Sequence, residues 1–541
     1  MKKLSKAVLT AITLAGMLAI PSQVNAGADS TTGDILGIAG SDTTFFVMNA
    51  LTDGHNLSTR YNPNGDKAVN IPPLVSANAN VESGEATVAT TAWLKAARLG
   101  WPGGAVLPAD ANCTTQYVFG GAGSTDTLQD GDVSGTSGTD IDVPFTSVTA
   151  VPGAPSAGTY TVRLGVQPPN GSGDGQKAIT GSAVKGVTYN STSNGFACLD
   201  IGRSSSAPSS SNGCTATSCE SWAFALDAIG WTSFPGNSNA AVSNGMVTAD
   251  FNKIYQCATS SNDANSDGDY FDTGDFKIGY PKILYWGQLT SNYNVGVEPA
   301  KIAAYRIQAG SGTGKDVASI FMGRSDGIDS AVLADCDGYP SATLNDKDSN
   351  TATSFTFPIV QEHDCRNVSD ADKPNAICFY GYSRWVLQAR SLEPDKRNGS
   401  VFGKFGPNTS ELKRPSFSTI NDSATRYKGT RYVYNVLPLG ALGVDLGRTP
   451  DARRFVGVSL QPAGCTDGIE GGTDDCNFDG DLTDTGVAVG AVSGFVCGDA
   501  TARRIIASFG FKPIASGLTS LTNAAYGTSY CRYNQDALSN S

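Results

Sequence analysis

Apolar positions along this chain come in short blocks separated by small polar turns, and the spacing within each block predicts its element. "DILGIAG" is a brief apolar run, "SDTT" follows it, and "FFVMNALTDG" has apolar residues at helical spacing before a glycine. This reads as strand, turn and helix, with the Ser/Asp/Thr cluster opening the helix and Gly54 stopping it. "TYTVRLGVQ", "FACLDIGRSSSAP", "FALDAIGWTSF" and "RYVYNVLPLG" read as strands, the third as a buried one. "MVTADFNKIYQC" and "TARRIIASFGFKPI" read as helices, the second ending at Gly510. "KIAAYRIQAGSGTGKDVASIFMG" is strand, glycine turn and helix; "SFTFPIVQEHD" is a loop, and "ICFYGYSRWVLQA" runs from strand into helix. Residues from about 62 to 168 are rich in Gly, Ser, Thr, Asp and Pro and read as insertion loops with short strands. Strands alternating with helices argue layered α/β architecture.

The N-terminus changes where this protein is expected to work. Lys2, Lys3 and Lys6 precede an apolar stretch from Ala7 to Ile20, and Val24-Asn25-Ala26 supplies small residues before a cut. Residues 1–26 therefore read as a secretory signal peptide, with no cysteine after the cut for a lipid anchor, and the mature chain is expected to be periplasmic or secreted. Twelve cysteines fit an oxidising compartment. Cys214/Cys219, Cys365/Cys378 and Cys465/Cys476 are the expected local pairs, the full connectivity staying open. A net charge of −12 steers the chain away from nucleic acid and anionic lipid, though local backbone N–H groups and hydroxyls still suit an anion.

Four turns share one design: "GSDTT", "NGSGDG", "GRSSS" and "AGSGTGKD" each place small polar residues at the end of an apparent strand. Three of them open a plausible helix, whose free N–H groups and positive dipole end hold anions. Taken singly, each is also an ordinary cap or turn; together, in an α/β frame, they point to a ligand beyond the strand ends. The last turn is nearly a nucleotide-binding loop. However, Ala309 replaces its first glycine and Asp316 its Mg²⁺-placing hydroxyl, which excludes that reading. His363, between Glu362 and Asp364, reads as a structural loop residue, so no catalytic site and no enzyme activity are expected.

The order of these blocks resembles the phosphate-binding proteins of bacterial ABC importers. "GIAGSDTTFFVMNAL", "PPNGSGDGQKAI", "LDIGRSSSAP", "FALDAIGW", "FNKIYQC", "RIQAGSGTGKD", "PIVQEHD", "GYSRWVLQA", "YVYNVLP" and "SFGFKP" follow the family's sequence of turns, hinge strand and helices. The resemblance implies an α/β, two-lobed periplasmic-binding-protein-like fold with long loop insertions. Lobe I would comprise 27–233 plus 416–541, with the 62–168 insertion, and lobe II 235–415. It implies a monomer that binds phosphate or a related oxyanion between the lobes and hands it to ABC importer membrane subunits. Carried over by position, Thr43, Thr44, Ser172, Ser205, Ser311, Gly312 and Thr313 would hold the anion. Where the family carries an aspartate and an arginine this chain has Ala309 and Ile307. Asp42 is the substitute acid, and Arg203 or Lys315 the substitute cation. Two other classes stay open: a secreted structural or adhesive protein that keeps the fold, and a secreted phosphate-processing enzyme.

A separate pattern, D-x-N-x-D-G-D-x-x-D-T-G, occurs twice. Asp263, Asn265, Asp267 and Asp272, and again Asp475, Asn477, Asp479 and Asp484, place oxygen donors as a calcium loop does, without its closing glutamate. The loops read either as structural Ca²⁺ sites or as acidic, solvent-exposed hairpins. Bound calcium predicts a melting temperature that falls when EDTA is added; an unchanged melting temperature assigns both loops to exposed hairpins.

Overall fold

The computed structural model describes residues 35–58, 61–62, 67–70, 115–119, 140–144, 159–166, 169, 171–184, 188–191, 196–197, 199–264, 266, 274–276, 280–289, 300–308, 311–324, 357–440, 449–459, 492–514 and 531–533. The predicted signal peptide, most of the 62–168 insertion, Cys465/Cys476 and the second Asp-rich loop lie outside them.

The elements that position the site are strands β1 (Ile35–Gly40), β2 (Lys67–Asn70), β3 (Ile201–Ser204), β4 (Cys219–Ser233), β5 (Ala303–Ala304), β6 (Arg306–Ile307), β7 (Ile359–Val360), β8 (Ala376–Gly381) and β9 (Thr430–Pro438). The helices are α1 (Phe45–Asn56), α2 (Ser172–Ile179), α3 (Thr248–Tyr255), α4 (Gly312–Ile320), α5 (Tyr382–Ala389) and α6 (Ala500–Ser508). The main sheet runs β5-β8-β4-β9-β3-β1-β2. β1 is parallel to β2 and β3, whereas β9 is antiparallel to both β3 and β4, so the α/β sheet is mixed.

Strand β4 organises this sheet. Every one of its 15 residues is buried, which is what an almost continuous apolar run demands of a central strand. Its first part, through Ala228, pairs with β9, and its last residues, Ile229 to Thr232, pair with β8. One strand thus joins two sets of partners end to end. The predicted strand from Phe224 extends back to Cys219, where the Cys214–Cys219 disulfide closes its start. Cys365–Cys378 also forms as expected, and Cys497–Cys531, not anticipated, ties the chain after α6 back to the residues before it.

Aromatic packing fixes the helix that carries the glycine turn. Phe251 of α3 lies 5.2 Å from Phe321 just beyond α4, and 5.9 Å from Phe379 of β8, while Phe321 also meets Phe405 at 4.2 Å. Such ring pairs add to the burial that holds α4 from behind. On the other side, Val47, Met48 and Leu51 of α1 pack with Leu36, Ile38 and Phe495. Helix α1 continues through Gly54 to Asn56 rather than stopping there. A side chain at Gly54 would press on Phe495 at 2.9 Å, so packing and not helix termination accounts for this glycine.

Within the insertion, Thr115–Phe119, Thr159–Val166 and Asp140–Pro144 make a separate sheet, with Thr159–Val166 in the middle. The segment read as a loop after Ser354 contains β7, which pairs in parallel with β6 and so places the turn beyond it against α4.

Candidate functional site

All four small-residue turns converge. The turn after β1 brings Thr43 to 3.5 Å from Thr313, at the start of α4. The turn before α2 brings the Ser172 hydroxyl to 3.1 Å from that of Ser205, and Ser172 accepts the Ser205 N–H at 2.8 Å. Gly312 joins the two groups, because a Cβ there would collide with the Ser172 hydroxyl and lie 3.0 Å from that of Ser205. The close approach is built by glycine elsewhere too: a Cβ on Gly175 would sit 2.9 Å from the Gly40 Cα, so α2 rests directly on β1.

The centre of this convergence is a carboxylate. Glu362 Oε1 accepts from Thr43 Oγ1 at 2.6 Å and from Thr313 Oγ1 at 2.6 Å, and Oε2 accepts from Ser311 Oγ. His363 Nε2 lies 2.9 Å from the same Oε1 and 2.9 Å from Thr43 Oγ1. The Gly381 N–H donates to His363 Nδ1 at 3.1 Å, which assigns the neutral ring's proton to Nε2. His363 is therefore a donor toward Thr43 and Glu362, and in this tautomer it is not a base for the Thr43 hydroxyl. Burial alone would raise the Glu362 carboxyl, but the His363 ring, the Arg431 guanidinium and the Ser311 hydroxyl more than offset it and hold it well below the usual carboxylate range.

The turn that presents Glu362 is clamped. His363 has a left-handed φ of 60°, uncommon for a residue with a side chain and costing roughly 1–3 kcal/mol. Its carbonyl accepts from the Tyr380 hydroxyl and from Gln388 Nε2 at 3.3 Å, and Cys365 is bridged to Cys378 close by. These bonds over-determine the backbone and so retain the strain.

Arg431, at the start of β9, supplies the cation. Its Nη2 donates to Thr313 Oγ1 at 2.9 Å and approaches Thr43 Oγ1 at 3.4 Å; its Nη1 pairs with Asp316 at 2.9 Å, and Nη2 lies 3.4 Å from Asp227. Asp227 also caps α5 by accepting the Ser383 N–H at 3.0 Å. Loss of hydration pushes the Asp316 carboxyl up to about 6, against the pull of Arg431, although about 19 % of its side chain stays exposed. The hydroxyls of Thr44 and Ser383 and the Nε of Arg431 are buried with no hydrogen-bond partner among the described residues. Buried donors of this kind are rare in proteins unless something else meets them.

The structure brings the expected ligand residues Thr43, Ser172, Ser205, Ser311, Gly312 and Thr313 into one cluster, and Thr44 sits beside it as the first residue before α1. The expected charged residues lie elsewhere. Arg203 is fully buried but donates to the Gly40 and Ser41 carbonyls and to Asn70, and it lies over the Phe45 ring, so it braces β1 and β2 instead of facing the hydroxyls. Asp42 pairs with Arg384 at 3.0 Å, which also holds Glu393, so its carboxylate is committed there. Glu362, His363, Asp227, Asp316 and Arg431 were not singled out as ligand residues. His363 beside Glu362 stood out in the sequence and read as structural, and Asp227 carried a signal as an acid within the apolar run from Phe224 to Trp231. Of the proposed metal ligands, Asp263 falls in the described residues; Asn265, Asp267, Asp272, Asp475, Asn477, Asp479 and Asp484 lie outside them, as does Ala309.

By sequence, the chain matches no protein family and no curated protein. By structure, it is similar to an ABC-type phosphate transport receptor from Vibrio cholerae, at 13% identity and a TM-score of 0.30 over 58% of this chain and 80% of that one. A protein from Clostridium perfringens assigned as a phosphate ABC transporter substrate-binding protein, solved with bound phosphate, overlaps at 15% identity and a TM-score of 0.31, over 65% and 88% of the two chains. PstS from Borrelia burgdorferi overlaps at 14% identity and a TM-score of 0.23, over 44% and 67%. Superpositions this partial assign neither a ligand nor a partner. Among the described residues, no helix is long and apolar enough to cross a membrane.

The raised Asp316 carboxyl sets a pH dependence. Between its ordinary value of about 4 and its folded value of about 6, the folded protein holds a proton that the unfolded chain has lost. That contribution to stability is complete below about pH 4 and is lost as pH rises through about 6. Urea melts of wild type and Asp316→Asn from pH 4 to 7 are expected to show the difference moving in the variant's favour as pH rises. A difference independent of pH would contradict the assignment.

Proposed function

We propose that this chain is an exported solute-binding protein that holds phosphate or a similar oxyanion among these turns. The observation that carries the reading is the focusing of donors from separated turns on one carboxylate, which is itself an oxyanion. Thr43, Ser311, Thr313 and the His363 Nε2–H address the Glu362 oxygens. Ser172 and Ser205 adjoin them across Gly312. Helix starts at α1, α2, α4 and α5 add backbone N–H groups and dipole ends of the sign an anion prefers.

The order of motifs along the chain supports two lobes, 27–233 with 416–541 and 235–415, and the division of β4 between β9 and β8 supports a hinge within that strand. On this reading Thr43, Ser172, Ser205 and Arg431 come from one lobe and Ser311, Gly312, Thr313 and Asp316 from the other. Closure brings them together around the ligand, and the closed state is favoured by the affinity it adds. The same motif order supports delivery to the membrane subunits of an ABC importer.

Charge selects among oxyanions. Arg431 is already matched by Asp227 and Asp316. Little positive charge is left for a fully ionised dianion, so a ligand that brings its own protons is favoured, and Asp316 is placed to accept one. Phosphate and arsenate have such protons at neutral pH; sulfate does not.

Isothermal titration at neutral pH is expected to show binding of phosphate and arsenate, with sulfate at least tenfold weaker. Thr313→Ala, which removes a donor lying between the Glu362 carboxylate and Arg431, should weaken phosphate at least tenfold, in line with about 1.5–3 kcal/mol for a hydrogen bond to a charged group. Absence of heat with all three oxyanions would sink the reading, and turnover of a phosphate ester would favour a phosphate-processing enzyme.

A further inference from the structure

The geometry points to Glu362 as a tethered anion that occupies the hydroxyl cradle and competes with free ligand for it. This inference rests on the reading of the cleft as an oxyanion site and adds a built-in competitor to it.

Three observations converge. First, the Glu362 carboxylate is engaged on both oxygens, with Thr43, Thr313 and His363 crowding one and Ser311 addressing the other. A free oxyanion bound by the same hydroxyls has to take these donors from it. Second, the hydroxyl donors come from two distant parts of the chain, the turn after β1 and the start of α4, so the carboxylate bridges them as an external anion would. Third, the backbone that carries it does not yield readily. His363 is held through its carbonyl by Tyr380 and Gln388 and through Nδ1 by Gly381, with the Cys365–Cys378 bridge adjacent. Exchange therefore proceeds by rotation of the Glu362 side chain out of the cradle while the turn stays in place.

The Glu362 carboxyl, held below the usual carboxylate range, agrees with this arrangement, since its side chain is an anion at neutral pH. Like charge then opposes simultaneous occupancy by a second anion at the same hydroxyls.

The test is a phosphate titration of wild type, Glu362→Ala and Glu362→Gln by calorimetry, with thermal melts in inorganic phosphate and in formate. Both variants are expected to bind phosphate at least tenfold more tightly than wild type. Glu362→Ala should melt lower than wild type and recover in millimolar formate, a free carboxylate of the size removed, while wild type gains nothing from formate. Glu362→Gln keeps the side-chain volume and serves if the alanine variant does not fold. If wild type binds phosphate and the folded variants bind it equally or more weakly, Glu362 helps hold the ligand; the inference is overturned and the oxyanion reading stands. If neither wild type nor any variant binds phosphate, arsenate or sulfate, both are overturned.

Discussion

A buried carboxylate must be supplied with donors, and in this molecule meeting that requirement draws the turns together. Moving an ion of this kind out of water costs several kcal/mol after relaxation, so Glu362 is stable only where hydrogen bonds replace its hydration. Thr43 comes from the end of β1, Ser311 and Thr313 from the start of α4, and His363 from the residue next to Glu362 itself. The dependence is mutual. Without an anion among them these hydroxyls would be buried donors with nothing to address, each costing roughly 1–3 kcal/mol. The site is thus stable with an anion in it, and Glu362 is the anion the chain itself provides.

The second constraint is the pairing of Arg431 with two acids. β9 and β4 lie side by side in the sheet, with Arg431 directly opposite Asp227 in register. Asp316 reaches the same guanidinium from α4. Arg431 therefore links the sheet to the helix that carries the glycine turn, and its Nη2 touches both threonines of the cradle. This is a different design from a pocket of spare positive charge. Hydroxyls and N–H groups supply the donors, while the Arg431 guanidinium is neutralised by acids of the fold.

Local chemistry explains what the sequence made legible. The turns at Thr43, Ser172, Ser205 and Ser311 could be recognised because each is a contiguous cluster of small polar residues at a strand end, a pattern with its own physical reason. The strands were legible where apolar runs are long, as at β4 and β9, and two of the three disulfides seen among the described residues were legible because their cysteines are close in sequence. The partners of those turns were not legible. Thr43 and Glu362 are 319 residues apart, and Arg431 and Thr43 are 388 apart, so no local pattern connects them. Arg203 misled for the converse reason. It stands inside a ligand-like turn, yet its guanidinium turns to the Gly40 and Ser41 carbonyls, which need donors where the strand ends. His363 looked like a loop residue because only the fold brings Gly381 to one ring nitrogen and Glu362 to the other.

Competition between a tethered and a free anion is decided by what each gains beyond the shared hydroxyls. A tethered carboxylate pays no translational cost, and on a backbone held this firmly its effective concentration exceeds the millimolar range of a flexible linker. A free ligand that made only the bonds Glu362 makes would therefore prevail only above that concentration. A tetrahedral oxyanion has more than two oxygens, and the surrounding structure has donors that the carboxylate does not use. Thr44 Oγ1 and Arg431 Nε are buried and unpartnered among the described residues, and Ser172 and Ser205 bond mainly to one another. Each additional charge-assisted bond is worth about 1.5–3 kcal/mol, and these are what a free ligand must gather to outweigh the tether. The donors left over around the cradle, rather than those inside it, determine whether this protein exchanges its own anion for one from outside.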